Sequence, residues 1–279
     1  IRVGSRSREP MARSRVEVVG PVFDCVSVAE DLAAADDPRL DQRYLRCVPG
    51  DDGRHPVLLI GVVHDHPASV SRVSRVLELV TPETLAVELP PLAMPLFRLY
   101  AADPHQPPRL GGEMSAAIQS AASPSIGVDV PTPAYLTSLV ETIRRERPSR
   151  SVLGRLVRDL GSAVAHALAC RVAGTLAAHT PLRLRVYDPI VHSCSMTDSA
   201  DVQADDERSY LDRRGALFRA IRPPESTRLI DDAREAAMSG LLDRARRKGS
   251  VAAVVGMEHL DEVEADLRGT ADRDTARSD

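Results

Sequence analysis

The stretch "VLLIGVVHDHPASV", residues 57–70, decides the fold. It opens on a run of apolar residues and glycine, rich in β-branched side chains, which is the pattern of a strand buried on both faces. A polar cluster, His64-Asp65-His66, follows, and then Pro67, a residue suited to the first turn of a helix. Val70, Val73, Leu77 and Val80 recur at helical spacing behind it, so residues 67–80 are predicted as a helix. A buried strand passing through a polar turn into an amphipathic helix is the βα step of a parallel sheet.

The same pattern recurs downstream. "TLAVEL" (84–89), "SIGVDV" (125–130) and "VAAVVG" (251–256) read as further buried strands, and "LRLRVY" (182–187) as a short edge strand. Helices are predicted over 133–146, behind Thr132-Pro133, and over 151–178, about 206–221 and 226–247, with loops at 101–111 and 193–205. The expected fold class is α/β, with a mostly parallel or mixed central sheet and packed helices. One domain is expected over residues 16–267, between a disordered Arg/Ser-rich extension (1–15) and a disordered charged tail (268–279); Met11 is a candidate natural start.

Composition narrows the function classes. A 279-residue chain with 43% hydrophobic and 27% charged residues and a net charge of -4 reads as soluble and globular, without the basic field that nucleic acid requires. No compact apolar region follows the N-terminal arginines, and Arg155, Arg158, Asp159 and Arg171 interrupt the most apolar helix. The expectation is a cytoplasmic protein with no integral membrane segment, the helix at 151–178 covering the sheet or a neighbouring subunit of a homo-oligomer. Cys25, Cys47, Cys170 and Cys194 form no CxxC pair, so buried free thiols are expected.

Each strong strand run ends in an ionisable side chain: His64, Glu88, Asp129 and, just past the last run, His259. Ligands of open parallel sheets bind outside the carboxyl ends of the strands, so these groups are expected around one crevice. Two imidazoles with one or two carboxylates make a mixed N/O donor set suited to a divalent transition metal, and such an ion acidifies bound water and polarises carbonyls. Gly61-Val62-Val63-His64 and Gly256-Met257-Glu258-His259 are both GxxH, each directly after a buried strand. A competing arrangement takes His64 and His66 as an HxH metal pair, as in barrel metallohydrolases, but leaves the second GxxH unexplained.

The blocks "GVVHDHPASVSRVSRVLELVTPETLAVEL" (61–89), "GGEMSAAIQSA" (111–121), "IGVDVP" (126–131), "REAAMSGLL" (234–242) and "VAAVVGMEHLDEV" (251–263) resemble, in order, the TraB/PrgY family, which is related to the Tiki and GumN proteins. The resemblance implies an EreA/Tiki-like α/β fold with two GxxH motifs and a glutamate at one site. In that family the Tiki branch is described as metal-dependent proteases, and PrgY is linked to shutdown of a peptide pheromone. Carried onto this chain, it implies His64, Glu88 and His259 as metal ligands for manganese, cobalt or zinc, and a peptide or small-molecule substrate. Glu113 would be a general base or supporting ligand, and Arg234 would hold a carboxylate or stabilise an oxyanion. The chain departs from the family at "LPPLAMPL" (89–96), at Ala233-Arg234 in place of Glu-Arg, and at Gly-Met-Glu-His in place of Gly-Ala-Gly-His. Those departures suit the alternative of a non-catalytic regulatory protein that binds a peptide or small ligand.

Overall fold

A computed structural model describes residues 23–278 apart from 52, 181–184, 187 and 221–223. The N-terminal extension expected over 1–15 and most of the edge strand expected over 182–187 lie outside the described residues. Five strands form one mixed sheet in the order β1 (Leu45–Val48), β2 (Val57–Val62), β5 (Val251–Gly256), β3 (Thr84–Val87), β4 (Ser125–Gly127). β1 is antiparallel to β2; β2, β5, β3 and β4 are mutually parallel, with Val62 level with Gly256. The carboxyl ends of four strands therefore share one edge.

The period of two along each strand divides the core into two layers. Leu58, Ile60, Val62, Leu85, Val87, Ala252 and Val254 face α2 (Pro67–Leu79), α3 (Met94–Ala101) and α4 (Gly112–Ser120). Val57, Leu59, Ala86, Val251, Ala253 and Val255 face the other way, against Met238 and Leu242 of α8 (Glu225–Arg246) and Leu260, Val263 and Leu267 of α9 (Leu260–Ser278). Strands buried on both faces must be apolar at every position, which is why these two central runs carry no polar alternation. Outside the sandwich, α5 (Pro133–Glu146) packs on α8, and the 30-residue α6 (Arg150–His179) lies on α3 and α8. α7 (Ala200–Ala220) closes against α2.

One expectation changes. Cys25, in α1 (Cys25–Ala34), and Cys47 are joined by a disulfide, so only Cys170 and Cys194 are free thiols. Their 22-residue separation has no signature in the sequence; α1 folding back beside the edge strand β1 is what brings them together. Helix α9 runs to Ser278 through the segment whose charge suggests a disordered tail, supported at its start by an Arg268–Glu264 ion pair one helical turn apart (2.8 Å). Helix α6 is long and apolar enough to cross a membrane by length and composition alone, with 22% of its most apolar window buried.

Candidate functional site

The carboxyl edge of the sheet gathers the ionisable residues that end the strand runs. His64 lies two residues past β2 and His259 three past β5, the adjacent parallel strand; Glu88 directly follows β3 and Asp129 lies two past β4. The GxxH glycines serve close approach, since neither has a positive φ. A Cβ on Gly61 would meet Met257 Sδ at 2.5 Å and Leu260 Cδ2 at 2.9 Å, so only glycine lets the turn after β5 close over β2. Gly256 donates its backbone N–H to Glu88 Oε2 (2.5 Å), and a Cβ there would crowd Glu258 and Glu88.

Both histidines are held through the same ring nitrogen. His64 Nδ1 donates to Glu113 Oε1 (2.8 Å), and Glu113 Oε2 accepts the Asp65 backbone N–H (2.9 Å). His259 Nδ1 donates to Glu235 Oε1 (2.8 Å). His259 Nε2 is buried without a hydrogen-bond partner and lies 3.6 Å from Glu88 Oε1. A carboxylate on Nδ1 with Nε2 left bare is the arrangement that orients a metal-ligating imidazole. The bond to Glu113 raises the His64 pKa to about 9. Burial opposes charge on His259, but the Glu235 bond and the neighbouring Glu88 carboxylate outweigh it and raise its pKa as well.

Arg234 spans the next two carboxylates. Its Nη2 donates to Glu88 Oε1 (2.8 Å) and Asp129 Oδ2 (3.0 Å), and its Nε to Asp129 Oδ1 (3.0 Å). Burial pushes the Glu88 pKa up, against the pull of Arg234. Arg214 adds an outer pair with Glu258 (3.2 Å). His64, Glu88 and Glu113 open onto a cavity of about 300 Å³ whose wall includes Leu89, Phe97, Met114, His166, Asp188 and Ile190. A larger cavity of about 1110 Å³ lies elsewhere, beside α1 and β1, and holds none of these groups.

The three residues of the polar cluster divide their tasks. His64 faces the cavity. Asp65, in the left-handed region at φ 58°, accepts the Ile190 N–H (3.0 Å). His66 is fully buried and caps α2, its Nδ1 accepting the Ala68 N–H (3.1 Å). That geometry removes the HxH alternative: the Ala68 N–H can only donate, so the proton of the neutral His66 ring sits on Nε2 and points at Asp206 Oδ2 (3.3 Å). The loop 188–199 crosses this cluster as a strap, pinned by Ile190, by His192 Nε2 donating to the His64 carbonyl (2.9 Å), and by Cys194 beside His66 (3.8 Å).

Among the described residues, the donor atoms of His66, Cys194 and Asp206 are the one trio of possible metal ligands within 4.8 Å of one another. The tautomer just assigned leaves His66 Nε2 without a lone pair, and burial with the nearby Asp206 pushes the Cys194 thiol up to about 11. This trio is satisfied by its own hydrogen bonds. His64, Glu88 and His259 do not form such a trio, although Glu88 bridges the space between the two rings in charge terms.

The structure thus brings His64, Glu88, Glu113, Arg234 and His259 to one edge. The residues that sequence reasoning missed are Glu235, the orienting partner of His259, and the strap residues Ile190, His192 and Cys194. In sequence Glu235 is not distinguished from a solvated helix-face glutamate. Comparison of the chain with family models, with curated proteins and with solved structures finds no match.

Proposed function

We propose that the chain is a metal-dependent hydrolase of the TraB/PrgY kind, acting on a peptide or small molecule held in the cavity beside His64 and Glu88. The observation that carries this reading is the buried, unpartnered Nε2 of His259, 3.6 Å from a Glu88 oxygen and oriented by Glu235 on the other side of the ring. A buried polar atom without a partner costs about 1–3 kcal/mol, a cost that a ligand at that atom removes. His259, Glu88 and His64 are the residues that would hold the ion, His64 through the nitrogen that Glu113 leaves free. When bound, divalent manganese, cobalt or zinc supplies Lewis-acid chemistry at this edge.

The chain's own residues set up the rest. Glu113, engaged through both oxygens, fixes the His64 ring and the Asp65 main chain, which is a positioning task. Arg234 pulls on the Glu88 carboxylate against the effect of its burial and holds the ends of β3 and β4 together. Phe97, Leu89, Met114 and Ile190 offer an apolar wall for the non-reacting part of a substrate, and the strap ties down the His64 main chain.

One observation favours the second reading, a non-catalytic binding protein that keeps the fold. Both Glu88 oxygens are already engaged, by Arg234 and by the Gly256 N–H, as in a purely structural ion pair. Titration of the purified full chain with manganese, cobalt and zinc by calorimetry separates the two. The hydrolase reading expects one bound ion per chain, loss of that binding in His259→Ala, and a roughly 10- to 100-fold weaker site in Glu235→Gln. Equal binding, or none, in wild type and His259→Ala contradicts it.

A further inference from the structure

Helix α6 is apolar on two opposite faces, and the described residues cover one of them. Val152, Leu156, Ala167, Cys170, Ala173 and Gly174 are buried against the body of the protein. Gly154, Val157, Gly161, Ala165, Leu168, Val172 and Leu176 follow one another at spacings of three or four residues along the opposite face, and all are exposed. Val157 is 72% and Val172 57% exposed, values a solvent-facing helix normally reserves for charged or polar side chains. The nearest charged residues are Arg158, on the line of Leu176 at one margin of the stripe, and Arg171 at the other margin.

The stripe is graded in size. Its N-terminal half is small, with Gly154 and Gly161 open enough that an added Cβ would meet nothing within 4 Å. Its C-terminal half is large, with Leu168, Val172 and Leu176. Antiparallel apposition of two identical stripes about a dyad near Ala165 sets Leu168 of each copy against Gly161 of the other, Val172 against Val157, and Leu176 against Gly154. Parallel apposition would set large on large and leave glycine facing glycine. A self-complementary patch of this kind is what a two-fold, isologous contact requires.

We infer that this face of α6 is the dimer interface of the protein, closed by the α6 of a second copy running antiparallel. With 30 residues, α6 is about 45 Å long and about 12 Å wide, so two copies would cover about 1,100 Å² in total. That is at the lower end of specific interfaces and corresponds to a reversible dimer rather than an obligate one. Closure of this face removes the exposed apolar stripe from water without placing Arg158 or Arg171 in an apolar environment, because both stay at the margins of the contact.

The test is sedimentation equilibrium of the full chain across the micromolar range. The expected result is a reversible rise from 30.2 kDa toward twice that mass, abolished in Leu168→Glu and Val172→Glu and weakened in Gly161→Leu, which fills the partner's docking position. Orientation is read by oxidation: a mixture of Val157→Cys and Val172→Cys chains cross-links, whereas Val157→Cys alone does not. A monomer at every concentration, a dimer that survives both glutamate variants, or self-linking of Val157→Cys overturns the proposal. So does a monomer that binds vesicles of mixed phosphatidylglycerol and phosphatidylcholine through the same residues, which would assign the face to a lipid surface.

Discussion

Replacing Arg234 by methionine is expected to destabilise the protein by about 3–5 kcal/mol, because it removes one partner from a buried ion pair and leaves the other charged. The side chain of Arg234 is 21% exposed, that of Glu88 3% and that of Asp129 14%, so solvent screening weakens these contacts little. Three bonds of 2.8–3.0 Å disappear, and two carboxylates at the ends of neighbouring strands lose the cation between them. Neutralising Glu88 in the same chain should return part of the loss, since Glu88→Gln no longer needs a counter-charge. Urea unfolding of wild type, Glu88→Gln, Arg234→Met and the double variant gives the coupling, expected at about 2 kcal/mol or more. Strict additivity, within about 0.5 kcal/mol, would refute the idea that Arg234 acts through Glu88.

Three further outcomes follow from other parts of the fold. Cys25→Ser should cost about 3 kcal/mol, the entropy of closing a loop of 22 residues, and thiol titration of the denatured, unreduced wild type should find two reactive thiols, not four. Burial would raise the Asp243 pKa, but ion pairs with Arg246 and Arg247 hold it below its ordinary 3.8. Its stabilising contribution is therefore complete above that value and lost as pH falls through the lower folded-state value. Thermal unfolding should show Asp243→Asn less stable than wild type at pH 7, with the gap closing as pH falls below the ordinary 3.8. His66→Ala removes the cap of α2 and a buried hydrogen bond to Asp206; a loss of about 1–2 kcal/mol is expected, and a neutral effect would contradict the capping assignment.

The central strands were legible because a strand covered on both faces has to be apolar throughout, and 57–62 and 251–256 are. Edge strand β1 was not, since Leu45-Arg46-Cys47-Val48 is short and half exposed, so no periodicity marks it. His64, Glu88 and His259 could be read as convergent from the rule that parallel strands end at one edge. Glu235 and the strap could not, because a helix-face glutamate looks the same whether it meets solvent or an imidazole, and the strap touches His64 across more than a hundred residues of chain. His66 could be read in sequence as a capping residue or, less well, as a ligand; the Ala68 N–H, by fixing the tautomer, makes it the cap.

The most direct test of the site is an anomalous-scattering map from crystals of the full chain soaked in zinc or manganese. A peak is expected at the carboxyl edge of the sheet, beside His259, Glu88 and His64. A peak among His66, Cys194 and Asp206 instead, or no peak at any soak concentration that leaves the crystals intact, would contradict it.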